Sequence, residues 1–575
     1  MEKERINKEG QENIRMKSWM QFIAISMSVA ILAILASLIH IRLDLTGDHR
    51  YTLSAPTHRV LSGLKNDVYI QVWLDGEMPV QFKKLKRSVR EMLDEFRVAS
   101  GRKVDYEFIN PSAGKDAKER NKRYESLYDK GLLPFNIHSN DAEGGATQKL
   151  IFPGLTVNYN GAEIPVNFLK NNQSLSAEQN LLNSMEGLEY EIIQTIATIS
   201  SDTVNRIAFI EGHNELSEIE VADITLSLAR FFSVDRGVIG GRPGVLDKYR
   251  AIVIASPKKP FNEKDKLVID QYIMNGGKVL WLLNEVYVNE DSLRYGETVA
   301  LYRPLNIEDQ LFRYGARINP SVVQDMECIP IPMKVVTGNS QQQLVPVPWI
   351  YYPLLYPSQA DPVTRNINRV AGKYANYIDT VGRDPDITKS VLLSTSKYTR
   401  LLNPPALISL READMTPGEK EFNRSSLPVA VLLSGKFRSA FMNRMITSLV
   451  EDKNFTLKEV SRKTRMIVVA DGEMIRNDVR MAGGQESPLP LGTDRYTGQT
   501  YGNKDFLVNC LNWLADDNGL MQLRSREMKL RLLDRSAIRK SRTLIQTVNI
   551  LLPVFIILIA GLIFNLVRRK RFTRS

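Results

Sequence analysis

The chain has 575 residues, 43% hydrophobic and 25% charged, a globular balance that excludes a disordered or fibrous chain and a length too great for one core. Lys and Arg outnumber Asp and Glu by 76 to 65, a net +11 that invites a polyanionic partner. The distribution of the charge argues against nucleic acid: residues 524–542 carry eight basic and two acidic residues, the last eight residues carry five basic ones, and the rest shows no basic stripe.

In chain order, residues 1–17 form a basic tail, with Lys3, Arg5, Lys8, Arg15 and Lys17. Residues 18–41 then lack any Asp, Glu, Lys or Arg. At about 1.5 Å per residue such a run crosses about 30 Å of hydrocarbon. Trp19 suits an interfacial anchor, and no small-residue cleavage site follows, so the run reads as an uncleaved signal-anchor.

Residues 42–202 read as an extracytoplasmic α/β domain. Ser54 and Pro56 predict a capped helix ending near Gly63. Residues 68–74 (VYIQVWL), 80–99 and 103–109 (KVDYEFI) predict strand, helix and strand, a βαβ unit. Asn160-Gly161 between 155–159 and 163–168 is a strong hairpin signal. Residues 177–199 predict one long helix.

Residues 203–523 read as a second α/β domain. Its first strand is 206–211 (RIAFIE), after which Ser217 and Glu220 have capping-box spacing for a helix through Ile224, Leu228 and Phe231. Strands are predicted at 251–256 and 278–283, with a helix capped by Asn262 between them that stops at Asn275-Gly276-Gly277. Near-continuous apolar strands alternating with helices mark a mostly parallel sheet covered on both faces. Later strands are predicted at 391–395, 429–434 and 466–470, and a closing helix at 503–515. Seven prolines in 328–362 argue against regular structure there. The interleaved Trp349, Tyr351 and Tyr352 either pack an irregular insertion onto the domain or form a contact surface for a partner.

Chemistry is sparse. Strand ends of a parallel sheet are where ligands bind, which singles out Glu211, His213 and Glu215 after one strand and Asp471 after another. A His between carboxylates suits acid–base work, although a turn satisfying its own amides explains the same residues. Asp471, Glu473 and Asp478 are acidic but match no metal-loop spacing. There is no G-x-S-x-G, no P-loop and no H-E-x-x-H, and two cysteines, Cys328 and Cys510, allow at most one disulfide. The expectation is a chain with no enzymatic activity, no cofactor and no metal.

Residues 524–542 form a basic juxtamembrane segment in which Arg531, Arg535, Arg539 and Arg542 recur every three to four residues, a stripe suited to lipid head groups or to a partner subunit. Residues 543–567 are a second uncharged run, and 568–575 a basic tail. Basic tails outside both runs predict cytoplasmic N- and C-termini, two spans of the inner membrane, and a periplasmic body between them.

Several segments together resemble a known family: Arg50-Tyr51-Thr52-Leu53-Ser54, Ile151-Phe152-Pro153-Gly154, Asn183 to Tyr190 (NSMEGLEY), Glu211-Gly212-His213 and Gly276 to Trp281 (GGKVLW). Their order, with the two terminal runs, resembles the GldG family, the gliding-motility-associated ABC transporter accessory proteins of the Bacteroidetes. The resemblance implies a polytopic GldF-like permease and a cytoplasmic GldA-like ATPase as partners, with membrane lipids and a second copy of the chain as further candidates. It also implies a glutamine-amidotransferase-like sheet, shared with an intraflagellar-transport protein and lacking the catalytic apparatus. A membrane-tethered module that binds a glycan or solute is the alternative function.

Overall fold

The computed structural model describes residues 19–31, 52–113, 116–140, 146–169, 172, 175–336, 342–414, 418–444, 455–482, 484–525 and 541–572. Residues 51–526 form one compact unit, and 1–50 with 527–575 a second.

In the larger unit, helix α1 (Ala55–Ser62) starts at Ser54, whose side chain accepts the Thr57 N–H, and ends at Gly63. Strand β1 (Val68–Val72), helix α2 (Val80–Ala99) and β2 (Val104–Phe108) form the predicted βαβ unit, with β1 and β2 parallel. Strands β3 (Gly154–Tyr159) and β4 (Ala162–Asn167) form the predicted hairpin, completing a sheet of order β2-β1-β3-β4. Both turn residues have positive φ, Asn160 at 50° and Gly161 at 85°, as a tight two-residue hairpin turn demands. The single helix expected over 177–199 is instead two, α3 (Ala177–Glu186) and α4 (Leu188–Ile199). They part at Gly187, the residue with least helical preference in the run.

The second sheet has ten strands. Strands β5 (Arg206–Glu211), β6 (Ser233–Val238), β7 (Ala251–Ala255) and β8 (Val279–Leu282) are parallel, with helix α5 (Ala222–Leu228) after β5 and α6 (Glu263–Met274) after β7. Asn262 caps α6 as predicted. Ser217 and Glu220 form only half of the expected capping box: Glu220 accepts the Ser217 N–H and O–H, a short 3-10 turn intervenes, and α5 stops before Phe231.

The sequence predicts a mostly parallel sheet, whereas the sheet is mixed. Strands β9 (Cys328–Val336), β10 (Gln342–Pro357), β11 (Ile387–Ser394) and β12 (Pro428–Gly435) are antiparallel neighbours, and β13 (Thr464–Val469) joins β12 antiparallel but β8 parallel. The proline-rich stretch is thus a long hairpin, β9–β10, not irregular chain. Pro330 faces Pro348 and Pro332 faces Pro346, so the missing N–H groups share alternate rungs of an edge pair while the rungs between carry the ladder.

Alternate residues of the parallel strands enter two separate cores. Ile207, Phe209, Val253 and Leu280 pack under α5 and α7 (Asn503–Ala515), the predicted closing helix. Ala208, Ile252, Val279 and Trp281 pack under α6. The first sheet has its own core, which Leu520, Met521 and Leu523 complete from beyond α7. In the smaller unit, a short apolar helix covers Trp19–Ile31, and α8 (Arg542–Phe572) contains a 29-residue stretch long and apolar enough to cross a membrane. The rest of the predicted first span lies outside the described residues.

Candidate functional site

The parallel strands run in the order β6-β5-β7-β8-β13. Numbered by position in the chain this is 2-1-3-4-5, a doubly wound order whose switch point lies between the carboxyl ends of β5 and β7, where such sheets take ligands. His213 stands there. Gly212, at φ +119°, and Asn214, at φ 58°, turn the chain back over the strand ends, a path that a residue bearing a Cβ follows only under strain at position 212.

The crevice is filled from within. The His213 ring stacks on Phe261 with centroids 3.8 Å apart. Its Nδ1 lies 3.2 Å from Glu215 Oε1 and its Nε2 3.3 Å from Asp265 Oδ2. Glu215 also accepts the His213 backbone N–H, and Asp265 accepts Gly241 N–H and the Asn262 amide. The His213 carbonyl accepts the N–H groups of Lys258 and Lys259, closing the β7–α6 loop over the site. Burial opposes protonation of His213, but hydrogen bonds and charge from Asp265 and Glu215 outweigh it and raise its pKa to about 9. The Asp265 carboxyl is held below its ordinary range, its burial overridden by His213 and Gly241. An imidazolium with both nitrogens held by carboxylates has no free nitrogen to act as base.

The predicted residues are only partly brought together. Glu215 joins His213, but Glu211 accepts instead from Arg236 Nε at 2.7 Å. Asp471, fully buried, forms a second centre after β13, where its Oδ2 accepts Lys373 N–H and its Oδ1 Glu473 N–H. Burial pushes its pKa up to about 7 against those two bonds. Ser256 Oγ donates to Glu473, Asn284 accepts Gly472 N–H, and Lys373 Nζ lies 3.6 Å from Asp478, so Lys373 serves both Asp471, through its backbone, and Asp478, through its side chain. Among the described residues no group of three or more His, Cys, Asp or Glu is arranged to hold a metal.

Phe261, Asp265, Ser256, Asn284 and the buried Glu285, whose carboxyl is pushed up to about 8 by burial and Glu308, are missed by sequence reasoning. Asp265 reads there as an acid favoured in the first turn of a helix, and nothing local ties it to a His 52 positions earlier. Trp349 and Tyr351 are fully buried, packed with Tyr374 and Ile408. They anchor the hairpin to the body from within its core. Tyr352 is half-buried, its hydroxyl on Glu290. Arg542 is exposed at the start of α8, while Arg531, Arg535 and Arg539 lie outside the described residues.

Compared with known proteins, residues 205–510, from the start of β5 into α7, match the family described as an ABC-type uncharacterized transport system. Residues 47–158 match a domain of unknown function, DUF7088. No curated protein matches the chain. Among solved structures, the mmIFT52 N-terminal domain is similar at 12% identity and a TM-score of 0.31, over 54% of this chain and 99% of that one.

Proposed function

The chain belongs to the ABC-type uncharacterized transport system family, and from that premise we propose that it is a non-catalytic, membrane-anchored accessory subunit whose body works by contact. The observation that carries this reading is the filled switch point. Where a doubly wound sheet receives a ligand, the chain inserts its own Phe261–His213 stack and two carboxylates. The α8 stretch of 29 residues supports anchoring, since at about 1.5 Å per residue it exceeds the hydrocarbon thickness.

The finer reading follows the GldG resemblance. Both termini are cytoplasmic, two spans flank a periplasmic body with a glutamine-amidotransferase-like sheet, and the complex serves gliding motility with a GldF-like permease and a GldA-like ATPase. Affinity purification of the full chain from detergent-solubilised membranes tests this. Recovery of a polytopic permease and an ABC ATPase is expected; a preparation containing neither, under conditions that keep the chain folded, rejects it.

A further inference from the structure

Two sequence stretches singled out above, around Thr52-Leu53-Ser54 and Asn183 to Tyr190, contain no chemistry that the proposed function uses. The structure brings them together. Glu189 and Tyr190 are neighbours in the first turn of α4.

Glu189 holds the segment by which the chain comes into the body. Its Oε1 accepts the Ser54 N–H at 2.9 Å and the Thr57 hydroxyl at 2.6 Å. Ser54 in turn accepts the Thr57 N–H. In a capping box the third helical residue returns a side chain to the cap's N–H; here a carboxylate 135 positions away does so.

Tyr190 holds the segment by which the chain leaves. Its hydroxyl donates to Met521 Sδ at 2.7 Å, and the Arg524 guanidinium lies 5.5 Å from its ring centroid. Arg524 also donates to the Pro362 and Arg365 carbonyls and to Asn509, all belonging to the second sheet's body, and Arg365 donates back to Ser525 O. Leu520, Met521 and Leu523 are buried in the first sheet's core. Arg59 Nη2 joins the two segments directly through Asn518 O at 3.0 Å.

We propose that the first turn of α4 is a joint fastening the incoming and outgoing segments at one place, and that the strap 518–525 couples movement of the outgoing segment to the packing between the two sheets. This rests on the reading of the terminal runs as membrane spans. A pull on either connection then reaches the Glu189–Tyr190 turn, and through Arg524 the second sheet.

Hydrogen–deuterium exchange of the full chain in detergent micelles tests the joint with two mild variants. Thr57→Val removes a hydroxyl bond to Glu189 at nearly constant volume; Arg524→Lys keeps the charge but loses the forked donors. Loss of a buried hydrogen bond to a charged group speeds local exchange about tenfold. The expected result is reciprocal: Thr57→Val accelerates amides in both 54–61 and 518–525, and so does Arg524→Lys. Acceleration confined to each variant's own side overturns the proposal, and so does a uniform rise that includes β5 and β7. The exchange pattern does not depend on the spans, so recovery of the chain in the alkaline-soluble fraction counts against the membrane reading alone.

Discussion

Replacement of His213 by Gln probes the filled switch point most directly. The imidazolium lies between two carboxylates whose side chains are 2% and 6% exposed, Glu215 and Asp265. Gln matches the length roughly but brings no charge, which leaves both carboxylates without a cation. Breaking a buried ion pair in this way costs about 3–5 kcal/mol. A second estimate comes from protonation: a rise from the ordinary value of 6.5 to about 9 corresponds to roughly 3 kcal/mol, at about 1.4 kcal/mol per pH unit. Because the folded pKa lies above the unfolded one, this contribution is complete below pH 6.5 and is lost as pH rises through 9. Lys278, which burial and the neighbouring Arg250 and Arg465 lower to about 7, has the opposite slope above pH 7, so the wild-type curve alone does not isolate His213. The difference between wild type and His213→Gln does. Urea unfolding of the full chain in micelles, followed by tryptophan fluorescence from pH 6 to 10, should show a difference of about 3 kcal/mol at pH 6 that shrinks steadily toward pH 10. A pH-independent difference refutes the protonated centre, and no difference at pH 6 refutes the ion-pair geometry.

Asp471→Asn replaces an oxygen that accepts Lys373 N–H or Glu473 N–H by a donor, and should cost about 1–3 kcal/mol. The Asp471 carboxyl is raised to about 7, so it contributes a loss of stability as pH rises from 4 to 7; the variant's urea midpoint should show a smaller decline, with Glu285, Asp325 and Asp361, all raised by burial, contributing to what remains. Gly277→Ala sets a Cβ 2.5 Å from the buried Tyr272 ring, whose hydroxyl is tied to Tyr249 O. The melting temperature should fall by an amount matching about 1–3 kcal/mol, and an unchanged value refutes the close packing. Trp349→Ala should cost about 3–5 kcal/mol as a core truncation, read by denaturant midpoint. Wild-type stability with lost partner binding restores the contact-surface reading.

Most local signals held where one segment satisfies itself, the half-formed Ser217–Glu220 box being the exception. Asn262 caps α6, Asn160-Gly161 turns a hairpin, and the apolar spacing of 503–515 gives α7. They failed where a partner lies elsewhere. Seven prolines argue against a strand in isolation, yet four of them fall opposite one another on an edge ribbon, Pro330 against Pro348 and Pro332 against Pro346, where the rungs between carry the ladder. Gly187 divides a run whose apolar periodicity continues across it, so periodicity alone reads one helix.

The candidate site divides the same way. Position at a strand end, and so the choice of His213 and Asp471, follows from a strand pattern that any parallel sheet imposes. Whether a strand end is a ligand seat depends on what comes over it from Phe261 and Asp265, and that is a property of packing.

By itself the sequence determined the α/β class, the alternation of apolar strands and helices, and two uncharged terminal runs with basic flanks, because each is a short-range property of burial and charge. Only the tertiary structure decided that the sheet is mixed, that His213 is locked between carboxylates, that Glu189 holds Ser54 and Thr57 while its neighbour Tyr190 holds Met521, and that Arg59 reaches Asn518. Those outcomes depend on contacts between residues up to 459 positions apart, whose energies no local pattern encodes.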